Sequence, residues 1–469
     1  MMVILGVLLA GCDESATGSA EGLDDGSGPR IDSSTFALDA RAPDKQKLRR
    51  LFSNASREEV SDGIAHYQFE VAVGPGKYDV VRLHRIVREH RPHRPVRTDG
   101  GVFMVHGAAQ DFGDIYLSAG TETPTPGTSA PLYLAANGVD VWGVDLAWTL
   151  VPEETTDLSF MKDWGLERDA DHLLAAMSIA RLLRGITRQG FGRLHLMGFS
   201  YSVGLAYIAA AQETQQHWLR RDIGGLIPVE GGLVVENKSR RRDACERADE
   251  GRKQIAEQNY HRTTTGSRTV HQLAVSAPND LSPLPPFEGF TNYEAALLVS
   301  VTPPFWHFVG VEFSEAGIPV DLLYSDADRW IKLLGGVPPN TAYMPRLPGV
   351  ETSEIRCGEK DLRLDDHLSE IAVPILYVGA GGGLGEEAGR WTTAVTASDD
   401  VTIYEVSLQP EGQRSIDFGH ADLWIADDAD DLVWETLHGW LIDHNARIPR
   451  TRLMSDGIPG PKTEHSSRH

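Results

Sequence analysis

The chain has 469 residues, of which 44 are lysine or arginine and 67 are aspartate or glutamate, so its formal net charge is −23 at pH 7. Hydrophobic residues make up 41% of the sequence, which is ordinary for a globular protein and excludes a wholly disordered chain. The acidic balance argues against nucleic acid as a partner, because phosphate backbones are bound by clustered lysines and arginines. No apolar run reaches the roughly 20 residues of a membrane-spanning helix, which argues against an integral membrane protein.

The N-terminus is a short apolar run that ends at Cys12. Residues 3–11 read VILGVLLAG, and small residues at the end of such a run are typical of an export-signal cleavage site. Leu9-Ala10-Gly11-Cys12 resembles the lipobox of bacterial lipoproteins, although no lysine or arginine precedes the run. The resemblance implies a lipoprotein signal at 1–12 and a lipidated Cys12 that anchors the protein to a membrane of the cell envelope, outside the cytoplasm. The alternative is a buried strand that ends in a cysteine by chance.

The next segments are a predicted tether and two predicted strands. Residues 13–50 are rich in Asp, Ser, Gly and Ala and bury too little apolar surface to fold, which predicts a flexible tether. Strand-like segments follow at 66–73 and 78–87, with the turn signal Gly74-Pro75-Gly76 between them. The histidine- and arginine-rich stretch 84–97 is expected to be a solvated loop; the alternative is an anion or metal patch.

From residue 102 onward, short apolar runs alternate with helical stretches. The predicted strands are 102–105, 139–146, 194–198, 223–229, 374–379 and 401–406. The predicted helices are 166–183, 203–211, 386–397 and 421–441. Fully apolar strands that alternate with helices predict a parallel sheet that is covered on both faces.

The alternation stops between residues 233 and 372, a stretch too long for a structureless loop. Its first third is charged and its later part is rich in proline and aromatic residues, which predicts an inserted cap with helices of its own. The expected core therefore consists of residues 51–232 and 373–446. The polar end at 447–469 is expected to be disordered.

The strongest chemical signal is the stretch 194–204, LHLMGFSYSVG, in which an apolar strand runs through a Gly-x-Ser-x-small turn into an apolar helix. This context is typical of a nucleophile elbow, whose sharp turn requires small residues two before and two after the serine. Gly198 meets that demand, and Ser202 stands where glycine is usual. Ser200 is therefore the candidate nucleophile; the alternative is a tight turn with an idle serine.

A second motif, His106-Gly107-Ala108, ends the strand at 102–105. With the elbow, it resembles the α/β-hydrolase family, whose HG motif follows the third strand. The resemblance implies an α/β fold with a mostly parallel eight-stranded sheet, helices on both faces and a large inserted cap. It also implies that the backbone N–H groups of Ala108 and Tyr201 form an oxyanion hole, with His106 orienting the loop.

The candidate base is His420, which follows the strand at 401–406 and opens the last predicted helix. The family's usual acid follows the strand at 374–379, but Gly381-Gly382-Gly383 stands there. Some members of this fold, including certain haloalkane dehalogenases, place the acid one strand earlier, which favours Glu230. The alternatives are Glu386, Glu387 and, in the cap, Asp326 or Asp328. Asp145 is expected to fix a loop.

Once Cys12 is set aside, Cys245 and Cys357 remain, and an even pair in an exported chain predicts a disulfide. The alternative is two unpaired thiols. Neither cysteine has a CxxC or Cys/His neighbourhood, and no cluster has convincing metal-ligand spacing. Neither a metal nor a cofactor is therefore expected.

These motifs predict a serine hydrolase that cleaves a carboxylic ester through an acyl-enzyme, with Ser200, His420 and Glu230 as its triad. The aromatic cap favours an apolar pocket, so the expected partner is a small, apolar ester. The oligomeric state is left open. The alternatives are acyl transfer or amide hydrolysis at the same site, or a non-catalytic surface-binding lipoprotein.

Overall fold

A computed structural model describes residues 52–263, 265–300, 307–336, 343–410 and 412–445. The predicted signal with Cys12, the whole predicted tether at 13–50, the two outermost residues of the predicted core (51 and 446) and the predicted tail at 447–469 lie outside the described residues. Among the described residues, no helix is both long and apolar enough to cross a membrane.

The described chain alternates strands and helices. The strands are β1 (Phe52–Ser61), β2 (Ile64–Ala72), β3 (Val80–Arg91), β4 (Arg94–Pro95), β5 (Gly100–Val105), β6 (Val139–Asp145), β7 (Leu194–Phe199), β8 (Ile223–Val229), β9 (His261–Thr263), β10 (Val311–Phe313), β11 (Pro319–Leu322), β12 (Tyr343–Pro345), β13 (Ile375–Ala380) and β14 (Val401–Val406). The α-helices are α1 (Ala130–Ala136), α2 (Leu166–Ile186), α3 (Tyr201–Thr214), α4 (Lys238–Ala256), α5 (Thr265–Ser276), α6 (Asn292–Ser300), α7 (Ala327–Gly335), α8 (Leu347–Cys357), α9 (Gly385–Thr393), α10 (Asp422–Ile425) and α11 (Glu435–Asp443).

The centre of the fold is a mixed ten-stranded sheet with the order β1-β2-β3-β6-β5-β7-β8-β13-β14, and β4 pairs with β3. The strands from β1 to β6 along this order pair antiparallel, and those from β6 to β14 pair parallel. Parallel strands β5, β6, β7 and β13 are buried along their whole length, as their apolar runs predict.

Each face of the sheet carries its own hydrophobic core. Along β5, Val102 and Met104 belong to one buried cluster, and Phe103 and Val105 belong to the other. Successive strand residues point to opposite faces, so one apolar strand supplies both cores. The α/β class and the mostly parallel sheet are as predicted, although the sheet has ten strands instead of eight.

The prediction of a solvated loop at 84–97 is wrong in its first half, because β3 continues to Arg91 and buries His84 and Arg85. The guanidinium of Arg85 donates two hydrogen bonds to the Asp140 carboxylate, at 2.8 and 2.9 Å. The side chain of His84 bonds His66 of β2 at 2.9 Å. These polar side chains are buried because they have partners on neighbouring strands, which the local sequence does not reveal.

The prediction of a single helix at 421–441 is also wrong, because α10 and α11 are separate helices. The backbone N–H of Asp427 donates to the carbonyl of Tyr324 at 2.9 Å, instead of to a carbonyl of its own segment. A contact from a remote segment thus interrupts the helix. The predicted cap region at 233–372 contains five helices, α4–α8, and four short strands, β9–β12, among its described residues.

Candidate active site

Ser200 stands at the sharp turn between β7 and α3. Its backbone has φ +54° and ψ −109°, a conformation that non-glycine residues rarely adopt. Its N–H donates to the carbonyl of Val229 at 2.9 Å. A Cβ at Gly198 would lie 2.4 Å from the carbonyl oxygen of Ser202, so the turn requires glycine there, as the sequence predicts.

Ser202, where the family motif has glycine, is fully buried. Its hydroxyl donates to the carbonyl oxygen of His106 at 2.5 Å. The departure from the motif therefore has a structural consequence: a side chain of α3 ties the elbow to the loop that follows β5.

His106 orients that loop, as predicted. Its Nε2 accepts the N–H of Leu146 at 3.1 Å, so Nδ1 carries the proton and donates to the carbonyl of Gly107 at 2.8 Å. Burial lowers the pKa of His106, which keeps the ring neutral near pH 7. Ala108 follows in the loop, and Tyr201 is the first residue of α3, where a backbone N–H has no acceptor within its own helix.

Glu230 and His420 are hydrogen-bonded, with 2.8 Å between Oε2 and Nδ1. The Glu230 side chain is fully buried, and its carboxylate also accepts the N–H of Ala380 at 2.8 Å and that of Leu384 at 2.7 Å. Glu230 itself has φ +53°, and its N–H donates to the carbonyl of Val378 at 2.8 Å. Backbone groups of β13 and of the loop after it therefore hold the carboxylate against the imidazole.

The glycines at 381–383 explain why no carboxylate follows β13. A Cβ at Gly383 would lie 2.1 Å from Oε2 of Glu230, and one at Gly381 would lie 2.2 Å from Oδ2 of Asp417. Side chains from adjacent loops thus occupy the space around this segment. The glycine run is visible in the sequence, but the carboxylate for which it makes room is not.

The alternative acids are placed elsewhere. Glu386 accepts a hydrogen bond from Arg390 at 2.6 Å on α9. Glu387 is exposed, 3.6 Å from Arg240. Asp326 caps α7 by accepting the N–H of Arg329 at 2.8 Å, and Asp328 lies in the first turn of that helix.

The His420 ring packs between aromatic rings. It stacks on Phe199 with 4.7 Å between ring centroids, and the edge contact with Phe308 has 6.2 Å between centroids. The N–H of His420 donates to the carbonyl of His307 at 2.9 Å. A segment of the predicted cap therefore borders the histidine.

Behind the oxyanion loop, Asp145 fixes the backbone as predicted, by accepting the N–H of Phe112 at 2.8 Å. Its other oxygen lies 3.0 Å from Nε2 of His84. Burial opposes ionisation of Asp145, but the nearby histidines and hydrogen bonds outweigh it and lower its pKa to about 2. Burial lowers the pKa of His66, the next ring in this chain of contacts, to about 3. The pairing of the two histidines could not be predicted from the sequence, because it crosses strands.

Cys245 of α4 and Cys357 of α8 form a disulfide, with 4.8 Å between their Cα atoms. This is the predicted pairing. Because both sulfurs are consumed in the bridge, neither thiolate is available to a metal.

Comparison with known proteins bears on the fold. No family model and no curated protein matches the chain. A proposed lipase from Sulfolobus solfataricus, of known structure, is 17% identical, with 83% of this chain and 99% of that chain covered and a TM-score of 0.57. The 469-residue chain itself therefore has the α/β-hydrolase fold. At such an identity the likeness concerns the fold alone, so the activity is argued from the site.

Two further solved structures match with lower scores. The monoglyceride lipase of Saccharomyces cerevisiae, in complex with a substrate analogue, is 11% identical, with 87% and 100% of the two chains covered and a TM-score of 0.44. An α/β-hydrolase fold protein from Nakamurella multipartita is 13% identical, with 78% and 96% covered and a TM-score of 0.34.

Proposed function

We propose that this protein is a serine hydrolase that cleaves a carboxylic ester of a small molecule through an acyl-enzyme. The observation that carries the proposal is the 2.8 Å hydrogen bond from His420 to a fully buried Glu230, in a fold whose elbow holds Ser200 in a strained conformation. Such backbone strain costs free energy, and strained residues of this kind are typical of active sites. The strain therefore favours a catalytic Ser200 over a purely structural one.

In the proposed reaction, Nε2 of His420 takes the hydroxyl proton while the Ser200 oxygen attacks the ester carbonyl. The tetrahedral intermediate then collapses, the bond to the alcohol oxygen breaks, and His420 returns the proton to the leaving alcohol. Water attacks the acyl-enzyme in the same manner and releases the acid, which regenerates Ser200.

Glu230 serves this cycle by accepting the Nδ1–H of His420. The contact fixes the tautomer with a basic Nε2 and stabilises the imidazolium that forms. Two backbone N–H groups also bind the carboxylate, at 2.8 and 2.7 Å, and hold it in place against the imidazole.

The oxyanion is assigned to the N–H groups of Ala108 and Tyr201. They come from different elements, the loop after β5 and the first turn of α3. The positive end of the α3 dipole adds to their effect on the developing negative charge. The hydrogen bond from Ser202 to the His106 carbonyl links these two elements.

The test combines covalent labelling with turnover of 4-nitrophenyl butyrate. We expect a fluorophosphonate probe to label Ser200, and Ser200→Ala to abolish labelling while the exposed Ser239→Ala does not. Glu230→Gln lowers kcat by about 10³–10⁴-fold, because it disturbs the tautomer of His420. The matched control, Glu386→Gln, alters only an exposed ion pair and stays near wild type.

If folded wild-type protein fails to react with the probe, the hydrolase proposal is overturned and the alternative of a non-catalytic binding protein is favoured. A loss of activity in Glu386→Gln, with Glu230→Gln unaffected, would overturn the assignment of the acid. Product analysis with added alcohols and with amides separates ester hydrolysis from acyl transfer and from amide hydrolysis.

Anchoring of this hydrolase through a lipid on Cys12 is part of the proposal and depends on the sequence alone. Metabolic labelling with a fatty-acid analogue in a bacterial host tests it. Incorporation that Cys12→Ser removes supports the anchor, and unlabelled wild-type protein argues against it.

A further inference from the structure

Four large apolar side chains are exposed in the connections that precede β7 and β8. Ile186 ends α2 and Phe191 follows it, and Trp218 and Leu219 lie between α3 and β8. All four are between 49% and 65% exposed, and they are among the six most exposed large apolar side chains of the described residues. The Phe191 ring packs on the last turn of α2, because a Cβ at Gly185 would lie 2.0 Å from it. A cluster of this kind marks an interaction site, whereas ordinary surfaces expose apolar residues singly.

Hydrogen bonds hold these two connections side by side. The guanidinium of Arg181 in α2 donates to the carbonyl of Phe191 at 2.8 Å and to that of Arg221 at 3.0 Å. The guanidinium of Arg193 donates to the carbonyl of Trp218 at 2.9 Å. The four apolar side chains therefore belong to one surface.

The end of the histidine- and arginine-rich stretch joins the same surface. Gln189, in the connection before β7, accepts the N–H of Thr98 at 2.8 Å and donates to the carbonyl of Val96 at 2.8 Å. The loop before β5 is thereby held against the loop before β7. We call the combined surface the basic edge, and it comprises residues 91–98, 186–193 and 215–222.

The basic edge is positively charged, although the whole chain has a net charge of −23. Its segments contain seven arginines and one acid, Asp222, which pairs with Arg181 of α2 at 2.8 Å. Among the described residues, no carboxylate lies within 4.0 Å of any of the seven guanidinium groups. Asp99 and Glu370 border the basic edge, and Glu370 accepts a hydrogen bond from Gln215 at 2.7 Å. Five of the arginines are exposed and therefore accessible to an anionic partner.

The basic edge lies on the side of the sheet opposite the proposed active site. Its three segments precede the parallel strands β5, β7 and β8, which are neighbours in the sheet. Ser200 and Glu230, by contrast, follow β7 and β8. The two ends of a strand lie at opposite edges of the sheet, so a partner bound at the basic edge leaves Ser200 accessible.

We propose that the basic edge docks on a membrane that contains anionic phospholipids. Its arginines bind the lipid phosphates, and the exposed aromatic and aliphatic side chains enter the boundary between headgroups and acyl chains. Ile186 and Leu219 favour a membrane over a nucleic acid, because a phosphate backbone offers these side chains no apolar phase. The inference goes beyond the proposed function, since it makes the active site face away from the membrane, toward substrates dissolved in water.

The proposed lipid anchor on Cys12 is compatible with this orientation. Phe52, the first described residue, pairs with Val71 and therefore lies at the edge that carries Ser200. The 39 residues of segment 13–51 span about 34 Å as the flexible chain that the sequence predicts. The 12 residues of β3 extend over roughly 40 Å, so the anchor and the basic edge can reach the same membrane.

Sedimentation with lipid vesicles tests the proposal on the full chain. Every protein compared carries Cys12→Ser, so no lipid on that residue contributes and the apolar N-terminus is the same in all. We expect this parent protein to bind vesicles of phosphatidylcholine and phosphatidylglycerol. The basic-edge variants Trp218→Ser/Leu219→Ser and Arg188→Gln/Arg220→Gln are each expected to weaken that binding about tenfold or more.

The matched controls change equally exposed residues in the predicted cap. Val275→Ser/Leu281→Ser removes two exposed apolar side chains, and Arg242→Gln/Lys253→Gln removes two exposed cations of α4. Both controls are expected to bind as the parent does. On vesicles of phosphatidylcholine alone, the arginine variant and the parent are expected to bind equally weakly, because the attraction to anionic lipid is absent.

Three results overturn the inference: a parent that does not bind anionic vesicles, basic-edge variants that bind as the parent does, and tighter binding of a DNA duplex than of vesicles. A dimer that only the basic-edge variants dissociate also overturns it, because a second copy of the chain would then be the partner.

Turnover of 4-nitrophenyl butyrate tests the orientation. Vesicle-bound parent is expected to match free parent, and loss of turnover on binding contradicts an active site that faces away from the membrane. Absence of turnover in both states overturns the proposed function and leaves the binding results standing, so the two failures are distinguishable.

Discussion

Two residues of the site share an unusual backbone conformation. Ser200 and Glu230 directly follow adjacent parallel strands, and both have a positive φ, +54° and +53°. Each such residue costs about 1–3 kcal/mol. In both cases the strained N–H donates to a carbonyl of the next strand, Val229 for Ser200 and Val378 for Glu230. The sheet therefore stabilises the two strained residues by the same contact.

A substitution of Ser202 tests the contact between the elbow and the loop that follows β5. Ser202→Ala removes the hydrogen bond to the His106 carbonyl, which leaves a buried acceptor unpaired and loosens the fit between the two oxyanion donors. We expect kcat for 4-nitrophenyl butyrate to fall about tenfold with little change in KM, since the oxyanion forms only during reaction. Ser202→Thr restores part of the loss because it retains the hydroxyl.

The control for this experiment is Ser276→Ala, which removes a hydroxyl from an exposed helical position. The role of Ser202 is contradicted if its alanine variant matches the control in kcat and in the rate of fluorophosphonate labelling.

At the scale of elements, the segment 307–310 is bound between the loops that carry Gly382 and His420. The N–H of His307 donates to the Gly382 carbonyl at 2.8 Å, and its carbonyl accepts the N–H of His420 at 2.9 Å. Asp422 joins the same parts, because one oxygen accepts the N–H groups of Gly310 and Gly419 at 2.8 and 2.7 Å. These hydrogen bonds hold a part of the predicted cap in register with the histidine loop.

Asp422 also predicts a pH dependence of stability. Burial raises its pKa to about 6, above the value of an unfolded chain, so the native state binds more protons between about pH 4 and 6. Ionisation in this window therefore destabilises the wild type as pH rises. Asparagine can accept the two N–H groups and donate to Ser325, which bonds the other oxygen at 2.7 Å. We expect Asp422→Asn to gain stability relative to wild type between pH 4.5 and 7.5, by up to roughly 2–3 kcal/mol.

Urea unfolding at the two pH values measures this difference. Asp422→Ala is the comparison, because it leaves three donors without an acceptor and loses stability at both pH values. A stability difference between Asp422→Asn and wild type that is the same at pH 4.5 and 7.5 would falsify the assignment of the raised pKa.

At the scale of the whole molecule, a single disulfide connects positions 112 residues apart in sequence. It joins α4 to α8, and Arg356, beside Cys357, donates to the carbonyl of Gly232 at 2.9 and 2.6 Å. Gly232 is two residues from Glu230. The bridge therefore secures a helix that contacts both the predicted cap and the loop of the proposed acid.

The double variant Cys245→Ser/Cys357→Ser is expected to lose about 2–4 kcal/mol of unfolding free energy, because the bridge restricts the unfolded chain. A reductant lowers the Tm of wild type to that of the double variant and leaves the variant unchanged. Thermal unfolding with and without reductant measures both effects. An unchanged wild-type Tm after verified reduction of the bridge contradicts this account.

Features that depend on residues close together in the chain could be predicted from the amino-acid sequence. The strand–turn–helix around Ser200 requires Gly198 because the crowded atoms lie within four residues of each other. The apolar runs at β5, β7 and β13 identify buried parallel strands for a similar reason, since burial on both faces removes polar alternation.

Features that depend on which strands lie side by side are visible only in the folded chain. Glu230 reaches His420, 190 residues away, because β8 lies beside β13 and the glycines after β13 leave space for its carboxylate. Glu386, which follows β13 in sequence, was an alternative acid, and local spacing did not distinguish it from Glu230. His84, buried against a histidine of another strand, was likewise out of reach. Burial and pairing of charged groups are set by contacts distant in sequence, so local patterns cannot specify them.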